Sequence, residues 1–143
     1  RLARSCGEKV VIFPGVYILH MDRLSIGTDV SIHQFCYLDA YGGIEIGDSV
    51  AIAHGCSIIS SDHHVDDMSV PMKDAAAVPA PVRIGDDVWV GCGVRILKGT
   101  SLGNGCAVGA GSVVTRDILP QAIAAGVPAK VLRHRGTVEK GSA

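Results

Sequence analysis

Among the side chains that could move protons in this chain, the densest run is Asp62, His63 and His64, with Asp66 and Asp67 close behind. An imidazole titrates near neutral pH. A histidine in such a run can therefore take a proton from a weakly acidic group and pass it on. His63 and His64 are both candidates for that role. His20, His33 and His54 stand alone in sequence and default to scaffold or substrate contacts. The five cysteines form no C-x-x-C pair, so neither a zinc ribbon nor a disulfide framework is indicated, and reduced thiols are expected. No glycine-rich phosphate loop of the strand-to-helix kind is present, which leaves nucleotide hydrolysis without support.

A repeat supplies the elements that must position these residues. The chain is 143 residues long and 48% hydrophobic, yet only 4% aromatic with 18 glycines, so its core is not built on large rings. A six-residue register accounts for this. Its first apolar positions run from Val10 and Val16 to Cys106 and Ser112. Two residues after each, from Ile12 to Val114, all fourteen positions are Ile, Leu or Val. Apolar residues at alternate positions give a short strand with one buried face, and the residues between give a turn. Three such units make a triangular coil. The small residues Cys36, Cys56, Thr100, Cys106 and Ser112 suit a narrow prism, with Cys36 and Cys56 as buried fillers on one wall. In IGDSVA, IGDDVW and LGNGCA, the glycines Gly47, Gly85 and Gly103 are expected to take backbone angles closed to other residues.

The register breaks three times: at Asp22 and Arg23, at Gly42 and Gly43, and over the twenty residues from Asp62 to Pro81. Units repeat by threes, so all three insertions leave at one edge of the prism. The long insertion is polar and Pro-rich, with no clean strand or helix period, and is expected to project as a loop. The same edge carries Asp39, Ala40 and Tyr41 one turn below, and His20 and Met21 below those. A titratable cluster on one edge follows from spacing alone.

The runs IAHGCSIISSDHH and PVRIGDDVWVGCGVRILKGTSLGNGCAVGAGSVVTRDI, with AAGVPAKVL after them, resemble the hexapeptide-repeat acyltransferases, in particular the galactoside, maltose and polysaccharide O-acetyltransferases. The resemblance implies an all-β fold, a left-handed parallel β-helix. Its coils would span about residues 10–61 and 82–117, with an extruded loop over 62–81 and a C-terminal segment over 118–143, all in one domain. It implies transfer of an acetyl group from acetyl-CoA to a hydroxyl, directly in a ternary complex, with His63 at the family's general-base position and His64, where the family often has proline, as the alternative; the Cys92 amide is a candidate for the thioester oxygen. A sugar hydroxyl is too weak an acid to ionise unaided, which is why a positioned base is needed. Trp89, Cys92, Gly109, Ala110, Gly111, Thr115 and Arg116 match the family's CoA contacts, and Lys130 and Arg133 its phosphate-binding positions. Asp39, Tyr41 and His64 are candidates for the acceptor pocket. Asp62, Asp66 and Asp39 are candidates to orient His63. The resemblance also implies a homotrimer with sites between subunits and no metal.

Other functions are weaker matches. An N-acyltransferase on an amino sugar could use the same base. A γ-class carbonic anhydrase needs three histidines around a metal, and Ile59 stands where the second histidine after His54 is required. A non-catalytic assembly module leaves the two histidines on the loop unexplained. Net charge is −1, which argues against a nucleic-acid partner. No apolar run reaches the ~18 residues of a membrane span. A cytoplasmic protein with a small-molecule or glycan acceptor is expected.

Overall fold

A computed structural model describes residues 2–137. The chain winds as a parallel β-helix of three walls. Ser5–Cys6, Leu24–Ile26, Ile44–Ile46, Val82–Ile84 and Ser101–Leu102 stack into the first wall. Val11–Ile12, Ser31–Ile32, Ala51–Ile52, Trp89–Val90 and Ala107–Val108 belong to the second, and Tyr17–Leu19, Tyr37–Asp39, Ser57–Ile59, Arg95–Ile96 and Val113–Val114 to the third. Each strand pairs in parallel with the one a full turn away, as Arg83 with Glu45 and Trp89 with Ala51. Alternation decides which side chain points inward. Of the fourteen second positions of the repeat, all but Ile12 and Ile18 are at most 4% exposed. Each such burial contributes about 1.5–3 kcal/mol.

Strand pairing extends past both ends of the expected coils. Ser5–Cys6 pairs with Leu24–Ile26 below. The signal there is weak because Arg4 and Cys6 take the places of aliphatic residues. Above, Ala122–Gly126 joins the second wall beside Ala107–Val108 and then folds back antiparallel on Ala129–His134. Ile118, Ala122 and Ala124 are buried and close that end of the prism, whereas at the other end Ile12 is 45% exposed.

The edge between the first and second walls, here the carboxylate edge, corrects one expectation. Gly47, Gly85 and Gly103 do not have positive φ; the left-handed residues come two places later, at Ser49 (φ 55°), Asp87 (54°) and Gly105 (70°). The glycines are needed for space. A Cβ on Gly47 would collide with the Asp86 carboxylate, and one on Gly85 with the Asn104 side-chain oxygen. Those oxygens are there because each accepts from an amide of the neighbouring coil: Thr28 N–H donates to Asp48 Oδ1 (2.7 Å), Asp48 N–H to Asp86 Oδ1 (2.8 Å) and Asp86 N–H to Asn104 Oδ1 (2.9 Å). The Gly-Asp and Gly-Asn pairs are one device, in which the glycine clears room for the side chain that caps a corner amide.

The twenty-residue insertion is more ordered than expected. Its arms Ser61–His63 and Ala77–Pro79 form a two-stranded antiparallel ribbon, with a 3-10 turn at Met72–Asp74 between them. Neither face of the ribbon packs into the core, so its sequence carries no apolar alternation. Its pairing is set by the root, where Ala80 N–H donates to Ser60 O (2.9 Å).

Candidate active site

The third-to-first edge, the loop edge, gathers residues that the sequence disperses. The two-residue insertions and the ribbon all leave here, one coil above another. Ser60, fully buried at the ribbon root, donates its hydroxyl to Asp39 O (2.7 Å) and accepts from Gly42 N–H (2.8 Å). This hydroxyl ties the ribbon to the coil below. Sequence reasoning missed it, although a serine at a corner where the coil below has Ala40 was a signal.

His63 lies exposed at the end of the first ribbon arm. Its Nδ1 is 2.9 Å from the carbonyl oxygen of Ala75 on the returning arm. A carbonyl can only accept, so Nδ1 carries the hydrogen and neutral His63 presents an unprotonated Nε2 outward. That tautomer suits a general base. Ala75 is 5% exposed, so the carbonyl that orients the ring is itself held in place. The carboxylates expected to orient His63 are corrected here. Asp62 pairs with Lys98 Nζ (2.8 Å), and Asp39 is taken up one coil below, by His20 and by the Tyr41 amide. Asp66 makes no hydrogen bond or ion pair among the described residues. No sequence signal pointed to Ala75, because the contact spans twelve residues and exists only once the ribbon closes. His63 and His64 line a depression of about 240 Å³ with Asp62, Asp66 and Lys98.

One coil below, Asp39 Oδ1 lies 3.0 Å from His20 Nδ1, and the same oxygen accepts from Tyr41 N–H (3.0 Å). The His20 ring meets Tyr41 edge-on at 5.2 Å, and the Arg23 guanidinium lies over the Tyr41 ring at 5.1 Å. Arg23 also donates to the Tyr41 carbonyl. Of the other single histidines, His33 stacks on Phe13 at 4.5 Å as part of the scaffold, and His54 is exposed at the second-to-third edge.

The residues matched to CoA binding fall into three places. Thr115, Arg116 and Lys130 stand together on the loop edge, around a depression of about 320 Å³. Trp89 and Arg133 lie on the second wall, in a groove of about 530 Å³ floored by Ala107 and Ile123. Cys92, Gly109, Ala110 and Gly111 lie on the second-to-third edge, the glycine edge, stacked by the bond from Gly111 N–H to Cys92 O (2.8 Å). The mid-corner amides of Cys92 and Ala110 donate to no acceptor among the described residues. A Cβ on Gly91 would stand 2.7 Å from the Ala110 nitrogen, so that glycine keeps the amide open. Exposed, fixed N–H groups of this kind can bind a carbonyl or a developing oxyanion.

Three cysteines are packing residues. Cys36 and Cys56 are 1% and 0% exposed and donate to the carbonyls of Ala53 and Gly91, each at 3.1 Å. The neighbouring Cys56 thiol draws Cys36 down, while the Cys36 side chain and burial push Cys56 up. No substrate reaches either sulfur. Burial raises Cys106 to about 11. Cys92 is part-exposed at its corner. Among the described residues no three His, Cys, Asp or Glu side chains converge on a point that could hold a metal ion, and no helix is long and apolar enough to cross a membrane.

The chain is similar to several known transferases. Residues 81–116 match the bacterial transferase hexapeptide (six repeats) model. A probable acetyltransferase of Mycobacterium tuberculosis is 42% identical over 81% of this chain and 39% of its own length. Galactoside O-acetyltransferase of Escherichia coli is 34% identical, over 90% of this chain and 62% of its own. The chain thus spans less than two thirds of either relative. A dTDP-4-amino-4,6-dideoxy-D-glucose acyltransferase of Escherichia coli is 31% identical over 92% of this chain and 82% of its own length. The crystal structure of a hexapeptide-repeat acetyltransferase from Vibrio cholerae, complexed with acetyl-CoA, superposes with a TM-score of 0.87 at 29% identity, covering 93% of this chain and 72% of that one.

Proposed function

The chain belongs to the hexapeptide-repeat acyltransferases, and from that premise we propose that it transfers the acetyl group of acetyl-CoA to a hydroxyl of a sugar or glycan, with His63 as general base. The observation that carries this is the bond from His63 Nδ1 to the Ala75 carbonyl (2.9 Å), which leaves Nε2 free on an exposed ribbon. Nε2 takes the proton of the acceptor hydroxyl as its oxygen attacks the thioester carbonyl. Negative charge gathers on the carbonyl oxygen, and the unpaired Cys92 amide is the donor placed to stabilise it. As the C–S bond breaks, the imidazolium returns the proton to the departing sulfur. No acyl-enzyme forms, in keeping with Cys36, Cys56 and Cys106 being buried in packing.

On one prism, His63 at the loop edge is separated from Cys92 and Ala110 at the glycine edge by the width of the third wall. Trp89 and Arg133 lie on yet another face. A site that uses all of them needs one copy's loop edge set against another's glycine edge, which supports a homotrimer with sites between subunits. Thr115, Arg116, Lys130 and Arg133 would hold the donor's polar groups. Asp39, Tyr41 and His64 flank the acceptor side. Acetyl-CoA as donor and unpaired thiols fit a cytoplasmic reaction.

The test is to follow free thiol in mixtures of the protein, acetyl-CoA and a panel of acceptors. Sugar-dependent release should fall about 10²–10⁴-fold in His63→Ala. Full activity in that variant would remove the base, and a monomeric mass by light scattering would remove the shared site. The amino-sugar relative favours a second reading, N-acylation. Pairing each sugar with its amino counterpart decides between them, since only the N-acyl reading expects the amine alone to react.

A further inference from the structure

His20, Asp39, Tyr41 and Arg23 form a second built site on the loop edge, with Asp39 and Tyr41 one coil and His20 and Arg23 two coils below the ribbon. We infer that this corner binds a part of the acceptor remote from the reacting hydroxyl, with His20 as the contacting group, and hence that the acceptor is longer than a single sugar ring. The inference rests on the acyltransferase reading above and adds the size of its substrate.

Asp39 is the positioning residue. Its Oδ1 already accepts from His20 Nδ1 (3.0 Å) and from Tyr41 N–H (3.0 Å), and its side chain is only 18% exposed. A carboxylate only accepts, so Nδ1 of His20 carries a hydrogen and Nε2 is left to meet a ligand. The His20 side chain is 40% exposed, so a ligand can reach it. Neutral His20 would accept a hydrogen bond from a hydroxyl at Nε2, which is the chemistry a saccharide offers. The ring is also fixed laterally, edge-on against Tyr41, which is covered on its face by Arg23. Exposed polar side chains held this way contribute little stability, since surface ion pairs give about 0–1 kcal/mol. His20 moreover sits at φ 56° and ψ 46°, where a glycine or asparagine would be less strained. Order in a polar surface group at a strained backbone position is what a preorganised contact requires.

The corner is coupled to the base. The Asp39 carbonyl accepts both the amide (3.1 Å) and the hydroxyl (2.7 Å) of Ser60, the residue at the ribbon root. His20 stands two coils below Ser60, since Leu19 pairs with Asp39 and Asp39 with Ile59, which is about 10 Å at about 4.8 Å between neighbouring strands. One pyranose ring is shorter than that. An acceptor touching His20 while offering a hydroxyl to His63 therefore has at least two rings, or one ring with a long substituent.

The test needs no turnover. The full chain saturated with CoA is titrated with glucose, galactose, maltose, lactose and maltotriose, and binding is read by ligand-observed NMR. Two- and three-ring saccharides should bind more tightly than their monosaccharides, and His20→Ala should weaken them at least tenfold, with partial recovery in His20→Gln, whose amide reaches to the Nε2 position. With any acetylated saccharide, the same variants should raise the acceptor KM far more than they lower kcat and leave the KM for acetyl-CoA in place. Should His20→Ala unfold, Asp39→Ala removes the oxygen that holds the ring and should weaken the longer saccharides in the same sense. Equal binding of one- and two-ring sugars, no saccharide binding at all, or a uniform loss of kcat in the His20 variants would overturn the inference. Those outcomes are independent of His63→Ala, whose retained activity would instead overturn the base.

Discussion

The carboxylate edge and the glycine edge turn the chain through corners of the same length yet leave their mid-corner amides in opposite states. On the carboxylate edge, the middle residues Thr28, Asp48 and Asp86 each have their N–H capped by a side-chain oxygen one coil along. On the glycine edge the corresponding residues are Pro14, Gln34, His54, Cys92 and Ala110, and the amides of Cys92 and Ala110 stay unpaired among the described residues. The short side chains of Asp and Asn reach a neighbouring amide, whereas Cys and Ala offer it no oxygen. A corner that satisfies its own backbone is structural, and one that leaves donors exposed is available to a ligand. The repeat alone does not separate these two cases, because both corners are equally compatible with it.

Removing a donor from the open edge should have the largest effect. Cys92→Pro deletes the N–H at a position where Pro14 already stands in the first coil, so the fold should hold while kcat falls about 10²–10³-fold. Cys92→Ala, which keeps the amide, should stay near wild type. A kcat within threefold of wild type for the proline variant would return the glycine edge to a purely structural role. Next in size is a matched pair. Gly85→Ala and Gly91→Ala each place a methyl group against backbone of the next coil and should each lose about 1–3 kcal/mol of stability, measured by thermal or urea unfolding. Only Gly91→Ala should also raise the KM for acetyl-CoA, since its methyl stands against the Ala110 amide. Equal effects of the two on that KM would erase the distinction between the edges. The smallest expected effect is Asp86→Ala. It bares the Asp48 amide at a cost of about 0.5–1.5 kcal/mol, a modest fall in Tm with turnover unchanged.

Much of the fold was legible in the sequence because the repeat is local. Alternation within each hexapeptide fixes which residue points inward, and Ile26, Ile32, Leu38 and their successors are buried as the register requires. The shared edge of the three insertions followed from counting by threes, and His20, Asp39 and the ribbon do leave that edge. The role of Gly47 and Gly85 was misread because a glycine can serve conformation or space, and only the neighbouring coil tells which. The ribbon within the long insertion was missed because strands with no face in the core carry no apolar alternation.

By itself the sequence determined the three-walled coil, the core column, the loop edge and the histidine that heads the insertion, all properties of residues within one or two repeats of each other. The tertiary structure alone decided what each polar group touches. Ala75, not a carboxylate, holds His63; Asp39 serves His20; Asp62 serves Lys98; and the amides of Cys92 and Ala110 are left open. The physical reason is one of scale. Periodicity fixes direction to within a wall, but a hydrogen bond needs two atoms about 3 Å apart, and that distance is set by how coils stack and how the ribbon closes.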